Sequence, residues 1–145
     1  MPSGHAAATI ALVVLTIVAG AFVAGMDAGL LYNEYPLMGT GLVPVEYGEA
    51  GLADPFENPA SAQFHHRWIA VLALLAVIGL WMRAARRGLS AVAHIMGGAV
   101  ICQFVLGLTT LLLGVPVWAG ALHQAGAVVL LSAVLVVAHR LSARP

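Results

Sequence analysis

From Ala6 to Met26 the chain runs for 21 residues without a charge, and three further stretches come close to it. Trp68 to Met82 is 15 uncharged residues, and it extends back through Ala60–Arg67 if a few polar groups face inward. Gly88 to Gly114 is 27 residues, interrupted in polarity mainly by His94 and Gln103. Val117 to Ala138 is 22 residues holding His123 and Gln124. About 20 residues of helix cross a bilayer core. Lipid offers no partner to open backbone groups, so each run is expected as a helix. The expected fold is all-α: a four-transmembrane-helix up-down bundle forming one domain over residues 1–145. Its helices fall at about 6–26, 60–82, 88–114 and 117–138, with an outer loop at 27–59. Composition excludes a water-soluble alternative. The chain is 61% hydrophobic and 8% charged, against about 25% charged in a soluble domain.

The zero net charge hides a separation. All six acids (Asp27, Glu34, Glu46, Glu49, Asp54, Glu57) lie between positions 27 and 57, and there is no lysine. Five arginines (Arg83, Arg86, Arg87, Arg140, Arg144) lie from 83 onward, and Arg67 follows two histidines. The clustered arginines place the ends of the second and fourth helices in the cytoplasm. Both termini are then cytoplasmic. The acidic loop and the Val115–Pro116 turn face the other side, which in a bacterial inner membrane is the periplasm. The first segment exceeds the usual 7–15-residue signal core, and Met1–His5 has no Lys or Arg, so a retained helix is expected. The loop holds four prolines and five glycines, and no regular structure is assigned to it. No basic patch suggests nucleic acid. Cys102, the one cysteine, excludes an intrachain disulfide. Trp68, Trp81 and Trp118 read as interface anchors. Gly20–Gly25 and Gly97–Gly98 read as small pairs that let helices approach.

Two histidines carry the chemistry. His66 and His123 each lie one to two turns into a helix, the second and fourth, and both helices run from outside to inside. The two therefore share a depth near the outer surface. Counting from each, Ala recurs at +4, Val at +5, Leu at +8, Ala at +10 and Val at +11, which suggests two hairpins related by a pseudo-two-fold. Neighbouring axes about 8–10 Å apart put diagonal helices roughly 11–14 Å apart, a gap that two imidazoles and one metal bridge. Haem suits the pair better than a bare ion. A closed zinc site wants about four protein ligands, whereas haem iron brings four nitrogens and asks for one or two axial ligands. Ala70, Gly126 and Ala127, a turn below the histidines, would leave room for a flat porphyrin. Arg67 at the rim would meet a propionate in a charge-assisted pair. A lone intramembrane histidine can equally serve only as a hydrogen-bonded bridge between helices. His94 and His139 near the cytoplasmic face are interfacial residues or ligands of a second site. His5 is expected to be solvated.

Three stretches resemble the haem A synthase family, the COX15/CtaA proteins, and specifically its carboxy-terminal half. They are Phe22-Val-Ala-Gly-Met-Asp-Ala-Gly29 with Tyr32-Asn33 and Pro36-Leu37-Met38, then Gln63-Phe64-His65-His66-Arg67-Trp68, then Leu122-His123-Gln124-Ala125-Gly126. The resemblance implies a protein of two four-helix halves that oxidises a haem O methyl group to the haem A formyl group in cytochrome oxidase assembly. It implies His66 and His123 as axial ligands of haem b iron, with haem O and haem A as substrate and product. Two departures stand out. The chain is half the family length, and His65 replaces the Asn of Q-F-N-H-R, leaving open whether His65 or His66 ligates. The family's first half carries E-x-x-H-R. Three residues before His66 this chain has Gln63, a neutral amide that cannot act as a general base.

Two functional readings follow, an enzyme of haem A synthase type and a non-catalytic haem b-binding half-module or electron-transfer subunit. A third is a structural four-helix membrane protein without cofactor. The partners expected are the lipid bilayer, haem, an electron donor, and either a second copy or a complementary first-half subunit. Asp27 and Glu57, bordering the first two helices, are the loop acids nearest to a catalytic position.

Overall fold

The computed structural model describes residues 4–143; Arg144, expected to help close the fourth helix, lies outside them. The four apolar runs form α1 (Gly4–Gly25), α3 (Pro59–Arg86), α4 (Ser90–Leu112) and α5 (Val117–Ser142), and a one-turn helix, α2 (Asp54–Glu57), precedes α3. At 1.5 Å per residue, 22 to 28 residues are about 33–42 Å long, enough to cross a hydrocarbon core of about 30 Å. All four are long and apolar enough to span, and the chain is an integral membrane protein. α3 and α5 run a turn beyond the apolar segments because Arg83, Arg86, His139 and Arg140 sit inside their last turns, where cations complement the helix dipole.

Local chemistry sets the ends. The Asn58 side chain accepts from the Ala60 and Ser61 amides, with Pro59 at the first helical position, an N-cap that starts α3. Gly88 and Gly114 have φ of 74° and 72°. At these ends the Leu89 and Val115 amides reach back to the Ala84 and Thr110 carbonyls at 3.0 and 2.9 Å, closing α3 and α4 in Schellman turns.

The loop between α1 and α3 is more ordered than its proline and glycine content suggests. It holds 3₁₀ turns at Ala28–Leu30 and Gly51–Ala53, the helix α2, and an isolated bridge between Met38 and Gly41. Side chains supply what the backbone pattern lacks. The Asp54 carboxylate accepts from the Gly48 and Ala50 amides and from Asn58 Nδ2. Tyr32 Oη donates to Glu46 at 2.7 Å, a bond that pushes the Tyr32 hydroxyl pKa up.

The helices pack in chain order, α1 on α3, α3 on α4 and α4 on α5, and α1 closes the ring less extensively against α5. α3 and α5 are thus diagonal, as the up-down reading requires. The continuous apolar core (Ala6 and Val13; Ala73 to Ala84; Leu89 to Val100; Leu130 to Ala138) takes the start of α1 and α4 and the second half of α3 and α5. In antiparallel helices those are all one end of the bundle, the end away from the long loop. The loop-side half is packed instead by Thr16, Gly20, Gln63, His66, Gln103, Gly107 and His123. Leu15, Val18, Leu72, Leu75, Val105, Val128 and Val129 point outward, as a lipid-facing surface demands.

Candidate functional site

His66 and His123 meet in the loop-side half of the bundle. Their ring centroids are 6.5 Å apart, with the planes at 86°. The means by which each ring is held is more informative than the distance. His66 Nδ1 lies 3.1 Å from the Thr16 carbonyl of α1. A carbonyl only accepts, so Nδ1 carries the hydrogen and Nε2 keeps a free lone pair. In a helix the Cβ of the residue one turn on covers a carbonyl. Here that residue is Gly20, where a Cβ would lie 3.0 Å from His66 Cε1. The missing side chain is what gives His66 its seat.

The second hairpin repeats the device. His123 sits over Gly107 of α4, where a Cβ would lie 2.6 Å from His123 Cε1. One turn before Gly107, Gln103 Nε2 lies 3.1 Å from His123 Nδ1 and donates to the His123 carbonyl at 2.8 Å. In both hairpins the first helix supplies a polar group and, four residues on, a glycine, while the second helix supplies the histidine. The pseudo-two-fold suggested by the residues after His66 and His123 thus extends to Thr16–Gly20 and Gln103–Gly107; in the sequence Gly20 reads as a packing residue and Gln103 as a polar interruption, and nothing there marks Thr16 or Gly107.

A metal ion held between two imidazoles by bonds of about 2 Å, with roughly 1 Å more from each nitrogen to its ring centroid, sets the centroids about 6 Å apart. The pair fits that span. Among the described residues no group of three or more His, Cys, Asp or Glu could hold a metal ion. Two imidazoles suit a group that brings its own equatorial nitrogens, and haem is such a group.

His65 does not compete for this place. Its Nε2 lies 3.1 Å from Tyr47 Oη, and its ring stacks edge-on with Phe64 and tilts against Tyr47 in the loop. Adjacent helix positions differ by about 100° in direction, so His66 alone turns to His123. Arg67 points at the loop. Its Nη1 donates to the Glu34 and Leu37 carbonyls at 2.9 and 3.0 Å and its Nη2 to the Tyr32 carbonyl at 2.6 Å, while Nε is buried without a partner. Buried Gln63 joins it, donating to the Tyr32 carbonyl at 3.0 Å. Asn33 ties the same segment to the Leu111 carbonyl at the end of α4. Gly126 lies under the Gln103 carboxamide, with whose Oε1 a Cβ would collide.

The other histidines lie elsewhere. His5 rests over Gly79, with Nε2 3.3 Å from the Ala76 carbonyl, so it packs on α3 although it is exposed. His94 accepts from Trp81 Nε1 at 3.0 Å. Trp81 turns inward over Gly97, unlike Trp68 and Trp118, which are exposed. His139 is exposed in the last turn of α5. Asp27, with φ 52°, opens the first 3₁₀ turn.

A family model described as cytochrome oxidase assembly protein (COX15-CtaA) matches residues 2–135. The Heme A synthase of Granulibacter bethesdensis is 45% identical over 137 residues, which is 93% of this chain and 36% of that protein. That of Rhodospirillum centenum is 44% identical over 132 residues, 87% of this chain and 35% of that protein. Mouse Heme A synthase COX15 is 39% identical over 136 residues, 90% of this chain and 33% of that protein. The chain spans about a third of the length of these relatives. No solved structure matches it.

Proposed function

Because the chain belongs to the COX15-CtaA family of cytochrome oxidase assembly proteins, we propose that it is a haem-binding module of a haem A synthase-type enzyme, corresponding to the carboxy-terminal half of the family's pattern. His66 and His123 are the residues that would hold its haem b iron. The observation that carries this reading is the pair itself: two imidazoles 6.5 Å apart, each with Nδ1 engaged by a group of a neighbouring helix, which leaves the Nε2 lone pair of His66 free. Partners on the outer nitrogen are how proteins orient imidazole ligands. Bound haem would supply the redox chemistry. The chain's own residues hold it, exclude water with the loop tied down by Arg67, Gln63 and Asn33, and keep lipid on the outside. Arg67 has donors to spare beyond the three carbonyls, Nε among them, and these are the groups a propionate would use.

The reaction proposed for the whole enzyme is oxidation of a haem O methyl group to the formyl group of haem A. It takes an oxygen atom from water onto the methyl carbon and releases protons and electrons in return (CH3 + H2O → CHO + 4 H+ + 4 e−), so it needs a base for the protons and an external electron acceptor. A second reading, a non-catalytic haem b-binding half-module or electron-transfer subunit, is favoured by one observation. Gln63 stands where a catalytic glutamate would, and it ties the loop instead. No acid occurs in any of the four spanning segments.

The test is expression of the chain with haem O, alone and with a complementary first-half protein, followed by extraction and identification of the haems. Alone, it is expected to hold haem and form little haem A; the complementary half is expected to raise conversion. Full conversion by the chain alone would remove the half-module reading. Failure to retain any haem would remove both readings.

A further inference from the structure

The two histidines are held by unlike partners, and the difference has consequences if both ligate, a premise this inference takes from the function proposed above. The Thr16 carbonyl accepts and cannot donate, so it admits one tautomer of His66. Gln103 offers a carboxamide, with a donor and an acceptor side by side. Its Nε2 faces His123 Nδ1 and the His123 carbonyl, while its Oε1 is buried without a hydrogen-bond partner. Donating to Nδ1 leaves the hydrogen of His123 on Nε2, which hides the lone pair that iron requires. Turned over, the carboxamide would present Oε1 to Nδ1–H and free the Nε2 lone pair of His123, at the cost of the bond that Gln103 Nε2 donates to the His123 carbonyl. The buried acceptor with nothing to accept is the second half of that arrangement. Gly107 beneath the ring and Gly126 beneath the carboxamide are the two places where a side chain would crowd the pair.

We propose that Gln103 is a positioning residue for His123: it selects the tautomer and orientation in which His123 ligates, so that His66 is the preset ligand of the haem and His123 the adjustable one. Gln103 touches no iron; it acts through the imidazole. Outer-shell partners of this kind typically change metal affinity by about 10–100-fold when removed.

The experiment compares wild type, Gln103→Leu and Gln103→Glu, purified and titrated with haem b, with His123→Ala as a reference. Gln103→Leu keeps the length and removes both hydrogen-bonding ends. It is expected to lose about 10–100-fold in haem affinity and to shift the spectrum from low-spin six-coordinate toward high-spin. Gln103→Glu only accepts. It is expected to restore six-coordination and to move the reduction potential negative, because an acceptor on Nδ1–H makes imidazole a stronger donor. A Gln103→Leu protein with wild-type affinity and spectrum would overturn the proposal while leaving His123 as a ligand. If Gln103→Leu does not fold, the Gln103→Glu potential decides, and an unchanged potential overturns it. If His123→Ala matches wild type, or wild type binds no haem, the ligand assignment itself fails and the proposal falls with it.

Discussion

An imidazole packed between helices has to displace something, and at this site what is displaced is a glycine's absent Cβ. A methyl at position 107 would lie 2.6 Å from the Cε1 of His123, closer than real carbon contacts allow, and one at position 20 would lie 3.0 Å from the Cε1 of His66, tight enough to push the ring; a larger side chain would eject either ring. Gly20→Val and Gly107→Val are therefore expected to lose or distort a bound-haem spectrum while helical content, followed by circular dichroism, is kept. Gly25→Val and Gly98→Val are the controls, since nothing lies within 4 Å of a Cβ at either place. Equal damage from all four would mean that the seats are not specific to the histidines. At this scale the sequence was half legible. His66 and His123 could be picked out because a polar ring in an apolar run is conspicuous and their depths agree. Gly20, Thr16 and Gln103 could not be assigned, because their roles depend on which residues face one another across two helices, and apolar periodicity leaves that register open.

Among the elements, the loop between α1 and α3 departs furthest from the sequence expectation. Proline and glycine content argues against regular structure, but it is blind to carboxylate and amide ties made at short range. Asp54 is the centre of those ties. Burial pushes its carboxyl up, but the Ser61 side chain, the Gly48 and Ala50 amides and Asn58 outweigh this and hold its pKa at about 2, against an ordinary 3.8. A carboxyl whose pKa is lowered by folding stabilises the fold above its unfolded pKa, and that contribution fades as pH falls toward the folded value. Protection of the amides of residues 48–58 from hydrogen exchange is thus expected to be full above about pH 4 and to fall between pH 4 and 2. Asp54→Ala should show low protection at both ends of that range. Equal protection of wild type at pH 5 and pH 2 would contradict the role given to Asp54. The long helices, by contrast, were readable to within a few residues, because the length of an uncharged run is what lipid demands. Their extra turns at Arg86 and Ser142 were missed because charged residues can remain helical at a membrane edge.

For the whole molecule, the arrangement ties orientation to chemistry. The apolar core fills one half of the bundle and the histidine pair the other, under the acidic loop. The arginines of α3 and α5 close the core half, and the positive-inside rule leads us to expect that half on the cytoplasmic side. In a Cys102→Ser background, a membrane-impermeant thiol reagent is expected to label a cysteine placed at Glu49 and not one placed at Ala85. The opposite labelling would move the histidine pair to the cytoplasmic side. The up-down order was legible from four runs and short connections, whereas the division into a packed half and a polar half emerges only from packing.

The central claim is that His66 and His123 jointly ligate one haem. Its most direct test is electron paramagnetic resonance of the purified, haem-loaded chain beside His66→Ala, His123→Ala and His5→Ala. The expected result is a low-spin signal with two imidazole ligands in wild type and His5→Ala, lost or converted to high-spin in each of the other two. A low-spin signal unchanged in both His66→Ala and His123→Ala would contradict it.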